Sequence, residues 1–240
     1  LNIGEIAATG GTSGVLYALT DSIKSKESLR LNNFAHVNYS DSNKLIGKLL
    51  CINGAGIQYK WIKNLTSAKN YDEMNSLASE VKVGSNGLLV YPFGNGSERM
   101  FNNKDIGTCF KNLNLNIHSK QHLYRASLEG IAFSFIYGME ILINDNFVPK
   151  LVRAGNDNLF QSKLFSNTIS TVLGREIEIY DSTGAYGAAR AAGYDSNNFK
   201  LYSDKITRND YIKSFEPQND KSLYIDAYNL WKENLLKILN

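Results

Sequence analysis

The segment Ile6-Ala7-Ala8-Thr9-Gly10-Gly11-Thr12-Ser13-Gly14-Val15-Leu16-Tyr17-Ala18-Leu19 decides how the rest of the chain is read. β-compatible residues from Ile3 to Thr9 run into a cluster of three glycines and two hydroxyls, and strand character resumes from Val15 to Leu19. Two antiparallel strands joined by a Gly-rich turn are expected. Glycines let backbone N–H groups converge on one point, and the hydroxyls of Thr12 and Ser13 add donors. The turn therefore reads either as a phosphate cradle or as a plain hairpin.

Downstream of the hairpin, Phe34 to Asn38 or Lys44 to Ile52 supplies a third strand. The period then changes: after the break at Asn53-Gly54, Ile57, Trp61, Ile62 and Leu65 fall at helical spacing. A polar helix is expected over 71–81, and the continuously apolar Leu88-Leu89-Val90-Tyr91 predicts a buried strand within 87–93. A long loop leads to a helix over 122–143. A short strand at Leu151-Val152-Arg153 follows, then a helix from Phe160 to Leu173 ended by Gly174 and an alternating strand at Ile177 to Tyr180. Small residues form a helix over 184–192. Tyr224, Tyr228, Trp231, Leu235 and Ile238 mark a C-terminal amphipathic helix. The pattern is α/β: a mixed sheet with helices on its faces, in one unit.

Composition agrees with that class. The 240 residues are 43% hydrophobic and 20% charged, which excludes disorder, collagen and a coiled coil. The net charge of +3 comes from dispersed Lys and Arg, without the basic block of a nucleic-acid-binding arm. No nucleic-acid partner is expected. The apolar run Ile131 to Ile143 reads as too short and too charged to span a bilayer, so no membrane partner is expected either. Cys51 and Cys109 are too few for a disulfide framework or a zinc site and read as core thiols of a reduced, cytoplasmic protein. With no starting Met, the chain reads as a piece of a longer one.

Two further motifs offer chemistry. Asn53-Gly54-Ala55-Gly56-Ile57-Gln58 is a small-residue entry into a helix, where an anion or a sugar hydroxyl could approach and Gln58 would point from the first turn; a plain helix start is the other reading. Ala154-Gly155-Asn156-Asp157-Asn158 ends a strand, where α/β sheets form ligand crevices; its Asn side chains read an adenine edge or close an Asx turn. His36, His118 and His122 are isolated. Glu98 and Glu129 are acids without an evident partner. No triad order or metal-ligand spacing is present.

The order of these signals resembles the second domain of the FGGY family of carbohydrate kinases, within it most closely the members acting on xylulose. The matches are Gly-Thr-Ser-Gly after a strand, Gly-Ala-Gly-Ile-Gln opening a helix, Tyr-Pro-Phe with Gly-Ser-Glu-Arg, His122 to Gly130, and Gly184 to Ala189. The resemblance implies the actin-like ATPase (ribonuclease H-like) fold and ATP with Mg²⁺ bound in a cleft between two domains. It implies that Gly11 and Thr12 approach the phosphates, Gly54 and Gln58 line the nucleotide site, and Gly155 with Asn158 lies against the adenosine. Residues 1–240 would be the C-terminal nucleotide-binding domain, with the sugar-binding domain and the catalytic Asp upstream and a homodimer of the full enzyme as a further expectation. No catalytic residue and no metal ligand is assigned within this chain. The implied reaction moves the γ-phosphate of ATP to a sugar hydroxyl, that of D-xylulose giving D-xylulose 5-phosphate. The alternative is a non-catalytic, sugar-responsive or interaction module. Two departures stand out. Ala154-Gly155-Asn156-Asp157 replaces the family's Gly-Gly-Gly-Ala, and Asn112 stands where the family has Gly.

Overall fold

A computed structural model describes residues 1–193 and 199–240. Strands β1 (Glu5–Gly10) and β2 (Gly14–Thr20) form the expected hairpin, with Gly10 opposite Gly14. Their alternation is what orients it: Ile6, Ala8, Leu16 and Ala18 are buried on one face, while Ala7, Val15 and Tyr17 are only half-buried on the other. Both regions weighed for a third strand are strands, β3 (Asn32–Ala35) and β4 (Ile46–Ile52).

Strand β7 (Leu151–Gly155) runs parallel to β1, and β8 (Ile177–Tyr180) runs parallel to β7. An edge strand β9 (Tyr211–Phe215), absent from the sequence expectation, closes the sheet antiparallel, in the order β3-β4-β2-β1-β7-β8-β9. The apolar run near residue 90 is a strand, β5 (Leu89–Phe93), but it does not join this sheet. Among the described residues it pairs only with β6 (Gly107–Lys111), which lies in what reads as a loop. Asn112, just past β6, has φ 63°. Asn is among the few residues besides Gly that adopt this backbone readily, so the replacement of Gly keeps the turn.

Helices α1 (Gly56–Leu65), α2 (Tyr71–Ser79), α3 (Lys120–Asn144), α4 (Lys163–Leu173) and α7 (Lys221–Leu239) build the core with the sheet. Helix α3 is its axis and contacts α1, α2, α4, α7 and three strands. At 25 residues, with an 18-residue stretch of mean hydropathy 1.4, it is long and apolar enough to cross a membrane, so the length argument from the sequence does not hold. However, 83% of its most apolar stretch is buried inside the fold. Around it Phe135, Phe160, Phe165 and Trp231 are fully buried, each contributing about 1.5–3 kcal/mol on leaving water. Trp231 anchors α7 by donating its indole N–H to the Val90 carbonyl at 2.9 Å and stacking on Tyr91.

Gly174 ends α4 in the left-handed conformation, as its position in the sequence predicts. Helix α5 (Gly184–Ala192) forms as expected but has no buried residue among those described, and α6 (Phe199–Asp210) is not anticipated by the pattern. Both cysteines are half-buried rather than core residues, since β4 and β6 each place the thiol on a partly covered face.

Candidate functional site

The hairpin turn opens onto a cavity of about 510 Å³, within the range of small-molecule sites. Gly10, Gly11 and Thr12 form one wall, and α1 adds Gly56, Ile57, Tyr59 and Lys60. Helix α2 adds Tyr71, Asp72 and Asn75, and the turn after β7 adds Asn158, Leu159 and Gln161. Of the residues singled out in the sequence, the structure brings Gly11, Thr12 and Asn158 together here.

Among the described residues, the backbone amides of Gly11, Thr12 and Ser13 meet no protein acceptor, and the Thr12 hydroxyl meets no partner. Ser13 is occupied differently, its hydroxyl donating to the Asn53 carbonyl at 3.3 Å. Unpaired N–H donors at Gly11 and Thr12, with one hydroxyl, on a cavity wall fit a phosphate group.

The helix entry is used in another way. The amide of Gly56 donates to the Gly11 carbonyl at 3.0 Å and that of Ile57 to the Thr12 carbonyl at 3.1 Å. The Asn53 and Gly54 amides donate to the two carboxylate oxygens of Glu98, at 3.0 and 2.8 Å. The Gly56 and Ile57 amides, first donors of α1 offered by the sequence to an anion, instead lock the turn to the helix, while the Asn53 and Gly54 amides are taken by Glu98. Glu98 thus has partners, and it is fully buried; burial pushes its carboxyl above the ordinary range against the pull of the two amides.

Gln58 lies 5% exposed behind the cavity, its Oε1 accepting from the Thr108 hydroxyl at 3.0 Å, and does not line the wall. Nor does Gly54, where a Cβ would fall 1.8 Å from the Pro92 carbonyl oxygen, so β5 itself demands glycine. Gly155 lines a second, smaller cavity of about 260 Å³ with Arg153, Tyr180 and Asp210. A Cβ there would meet the Ser182 carbonyl at 2.3 Å. The six candidate residues are therefore divided among two cavities and the core.

His118, His122 and Glu129 have structural partners. His122 and Ser119 form the capping box of α3, and His118 Nδ1 accepts from the Asn114 amide at 2.9 Å. Glu129 pairs with Arg125 at 2.6 Å and accepts from the Gly84 amide and the Ser85 hydroxyl. Among the described residues no cluster of three or more His, Cys, Asp and Glu is placed to hold a metal ion.

Sequence reasoning missed the α2 wall. Tyr71 is exposed and stacks on the buried Tyr59 with ring centroids 5.7 Å apart, and the Tyr59 hydroxyl donates to Asn75 at 3.1 Å. A polar helix carries no pattern that marks one face as a binding wall, so no signal was available for it.

The model of the FGGY family of carbohydrate kinases, C-terminal domain, matches residues 6–196. Gluconokinase of Bacillus subtilis is 26% identical over 215 residues, covering 80% of this chain and 40% of that protein. Xylulose kinase of Haemophilus influenzae is 26% identical over 244 residues, covering 99% and 48%. The chain thus spans at most about half the length of these relatives. Among solved structures, xylulose kinase from Rhodospirillum rubrum superposes with a TM-score of 0.83 at 22% identity, over 99% of this chain and 48% of that one. Plasmodium falciparum glycerol kinase with ADP gives 0.82 at 18% identity, over 100% and 48%. These superpositions show that the fold is that of the actin-like sugar kinases.

Proposed function

Because the chain belongs to the FGGY family of carbohydrate kinases and matches its C-terminal domain, we propose that it is the nucleotide-binding half of an ATP-dependent sugar kinase. The sugar-binding half and the catalytic base would lie in a domain outside these 240 residues. The observation that carries this reading is the set of unpartnered donors of Gly11 and Thr12 on the wall of the larger cavity. A fold neighbour crystallised with ADP adds support.

In this reading the turn holds the phosphates, and the locked contact between Gly11 and Gly56 keeps the donors in place before ligand arrives, so little reorganisation is needed on binding. The nucleoside extends toward Asn158 and Tyr71. Transfer forms a bond from the sugar hydroxyl oxygen to the γ-phosphorus and breaks the bond to the β-phosphate oxygen. The hydroxyl proton leaves to a base on the other domain. Mg²⁺ would arrive on the nucleotide phosphates, where it neutralises charge. The half-buried free cysteines accord with a reduced, cytoplasmic setting.

We propose xylulose as the acceptor, on the xylulose kinase match along 99% of the chain against 80% for the gluconokinase. The test is a coupled ADP-release assay of the intact protein with D-xylulose and with D-gluconate. Turnover with xylulose alone is expected; turnover with gluconate alone overturns the sugar, and binding of ATP without turnover of any sugar favours an interaction module. The 240-residue chain by itself should bind ADP in the roughly millimolar range and show no sugar-dependent hydrolysis.

A further inference from the structure

Two charged side chains line the larger cavity from different helices, Lys60 on α1 and Asp72 on α2, and neither has an ion-pair or hydrogen-bond partner among the described residues. Neither makes a cap hydrogen bond of its own helix. The cap of α2 is made by Asn70, which accepts from the Glu73 amide at 2.8 Å, and by Glu73, which accepts from the Lys69 amide at 2.8 Å. Asp72, between them, is left facing the cavity. Lys60 is four residues beyond Gly56 and so stands one turn up on the same face of α1, the face that meets the Gly11 carbonyl.

We infer that Lys60 and Asp72 determine which way round the nucleotide lies: the Lys60 ammonium meets its phosphates, and the Asp72 carboxylate accepts a hydrogen bond from a donor on its nucleoside. This rests on the nucleotide reading above and goes beyond it, since it names residues and a polarity for the site. The donors of the hairpin turn fix the phosphate end. A cation one helical turn from that end adds a charge the neutral amides lack. A carboxylate is acceptor-only, so on the α2 wall it selects a donor and repels phosphate. The nucleoside offers two such donors, the ribose hydroxyls and the exocyclic amine of adenine. Tyr71, next to Asp72 and exposed over Tyr59, gives a flat surface beside that carboxylate.

Calorimetric binding of ADP and of adenosine to the intact protein separates the parts. Lys60→Gln should weaken ADP about tenfold and leave adenosine unchanged, with Lys60→Arg restoring ADP binding. Asp72→Asn should weaken ADP and adenosine by the same several-fold factor. If ribose is the donor, 2′-deoxyadenosine binds the wild type more weakly but suffers no further loss in Asp72→Asn; if the amine is the donor, inosine behaves so. Equal affinities of wild type and both variants for both ligands overturn the inference, as does an equal loss of ADP and adenosine in Lys60→Gln. A wild type that binds neither ligand overturns the nucleotide reading itself. Both side chains are exposed, so folding of the variants is secure, and melting curves check it.

Discussion

The amide of Gly56 donates to the carbonyl of Gly11 at 3.0 Å, and a Cβ on Gly56 would lie 2.3 Å from that same oxygen. The first residue of α1 and the turn of the hairpin are therefore in contact at a distance that only glycine allows. Gly56→Ala must push the turn off the helix, breaking the Gly56 and Ile57 hydrogen bonds to it. A loss of about 1–3 kcal/mol in stability, together with weaker nucleotide binding, is expected in denaturant titration and calorimetry.

Gly11 should behave in the opposite way. A Cβ there meets nothing closer than the Ser13 carbonyl at 3.8 Å, so the fold has room for a side chain that would stand over the cavity donors. Gly11→Val is expected to keep stability within about 0.5 kcal/mol and to lower ADP affinity at least tenfold. Thr12→Val, which removes one hydroxyl, should cost only a few-fold. Unchanged ADP affinity in both variants would show the turn to be only a turn.

Asp145 gives a pH-dependent outcome. Its carboxylate is buried, pairs with the buried Lys48, and accepts from the Glu27 and Lys26 amides and the Ser25 hydroxyl. Burial alone pushes its carboxyl up, but these partners outweigh burial and hold it below the ordinary Asp range. A depressed carboxyl stabilises the fold above its unfolded value of about 3.9 and loses that contribution as pH falls through the folded value. Asp145→Asn should cost about 3–5 kcal/mol at pH 7, since it leaves Lys48 buried without its counter-charge. The wild-type contribution of this group should fade below pH 4 in acid titrations followed by circular dichroism.

Trp231→Ala should release α7, because the indole both stacks on Tyr91 and donates to the Val90 carbonyl. A cost of about 3–5 kcal/mol is expected in thermal melting.

The sequence made this docking legible because Tyr228, Trp231 and Leu235 keep helical spacing and are all buried. It made the hairpin legible through its glycines. The face of α1 was not legible: Trp61 and Leu65 match the apolar spacing yet are 50% and 61% exposed, while Gln58, Tyr59 and Ile62 face inward. A polar Gln on the inner face breaks the period that the reading relies on. Strand β9 was missed because only Phe215 of its five residues is buried, as suits an edge. Strand β6 was missed because each of its residues is half-buried, which leaves no alternation. In the site, Gly54 and Gly155 stood out as ligand residues, but a sequence does not distinguish a glycine that admits a ligand from one that admits a neighbouring stretch of backbone. That distinction needs the Pro92 and Ser182 carbonyls in place.

Asn158 combines two roles that a pair of substitutions can separate. It lines the larger cavity, its side chain has no hydrogen-bond partner among the described residues, and its φ is 48°, in the left-handed region. Removing the side chain with alanine therefore also strains the backbone, by about 1 kcal/mol or more, whereas glycine removes the same side chain and relaxes it. If the amide reads the adenine edge, each variant loses one hydrogen bond to a neutral base, a cost of about 0.5–1.5 kcal/mol. Asn158→Gly in the intact protein should then raise the KM for ATP several-fold, leave that for the sugar unchanged and keep wild-type stability. Asn158→Ala should show the same rise in KM with a lower Tm. The comparison of nucleotides completes the argument: an amide aligned on the adenine edge makes the wild type prefer ATP to GTP, and the preference should shrink in Asn158→Gly. Equal use of ATP and GTP by the wild type, or a KM for ATP that alanine raises and glycine does not, would assign Asn158 to the backbone turn alone.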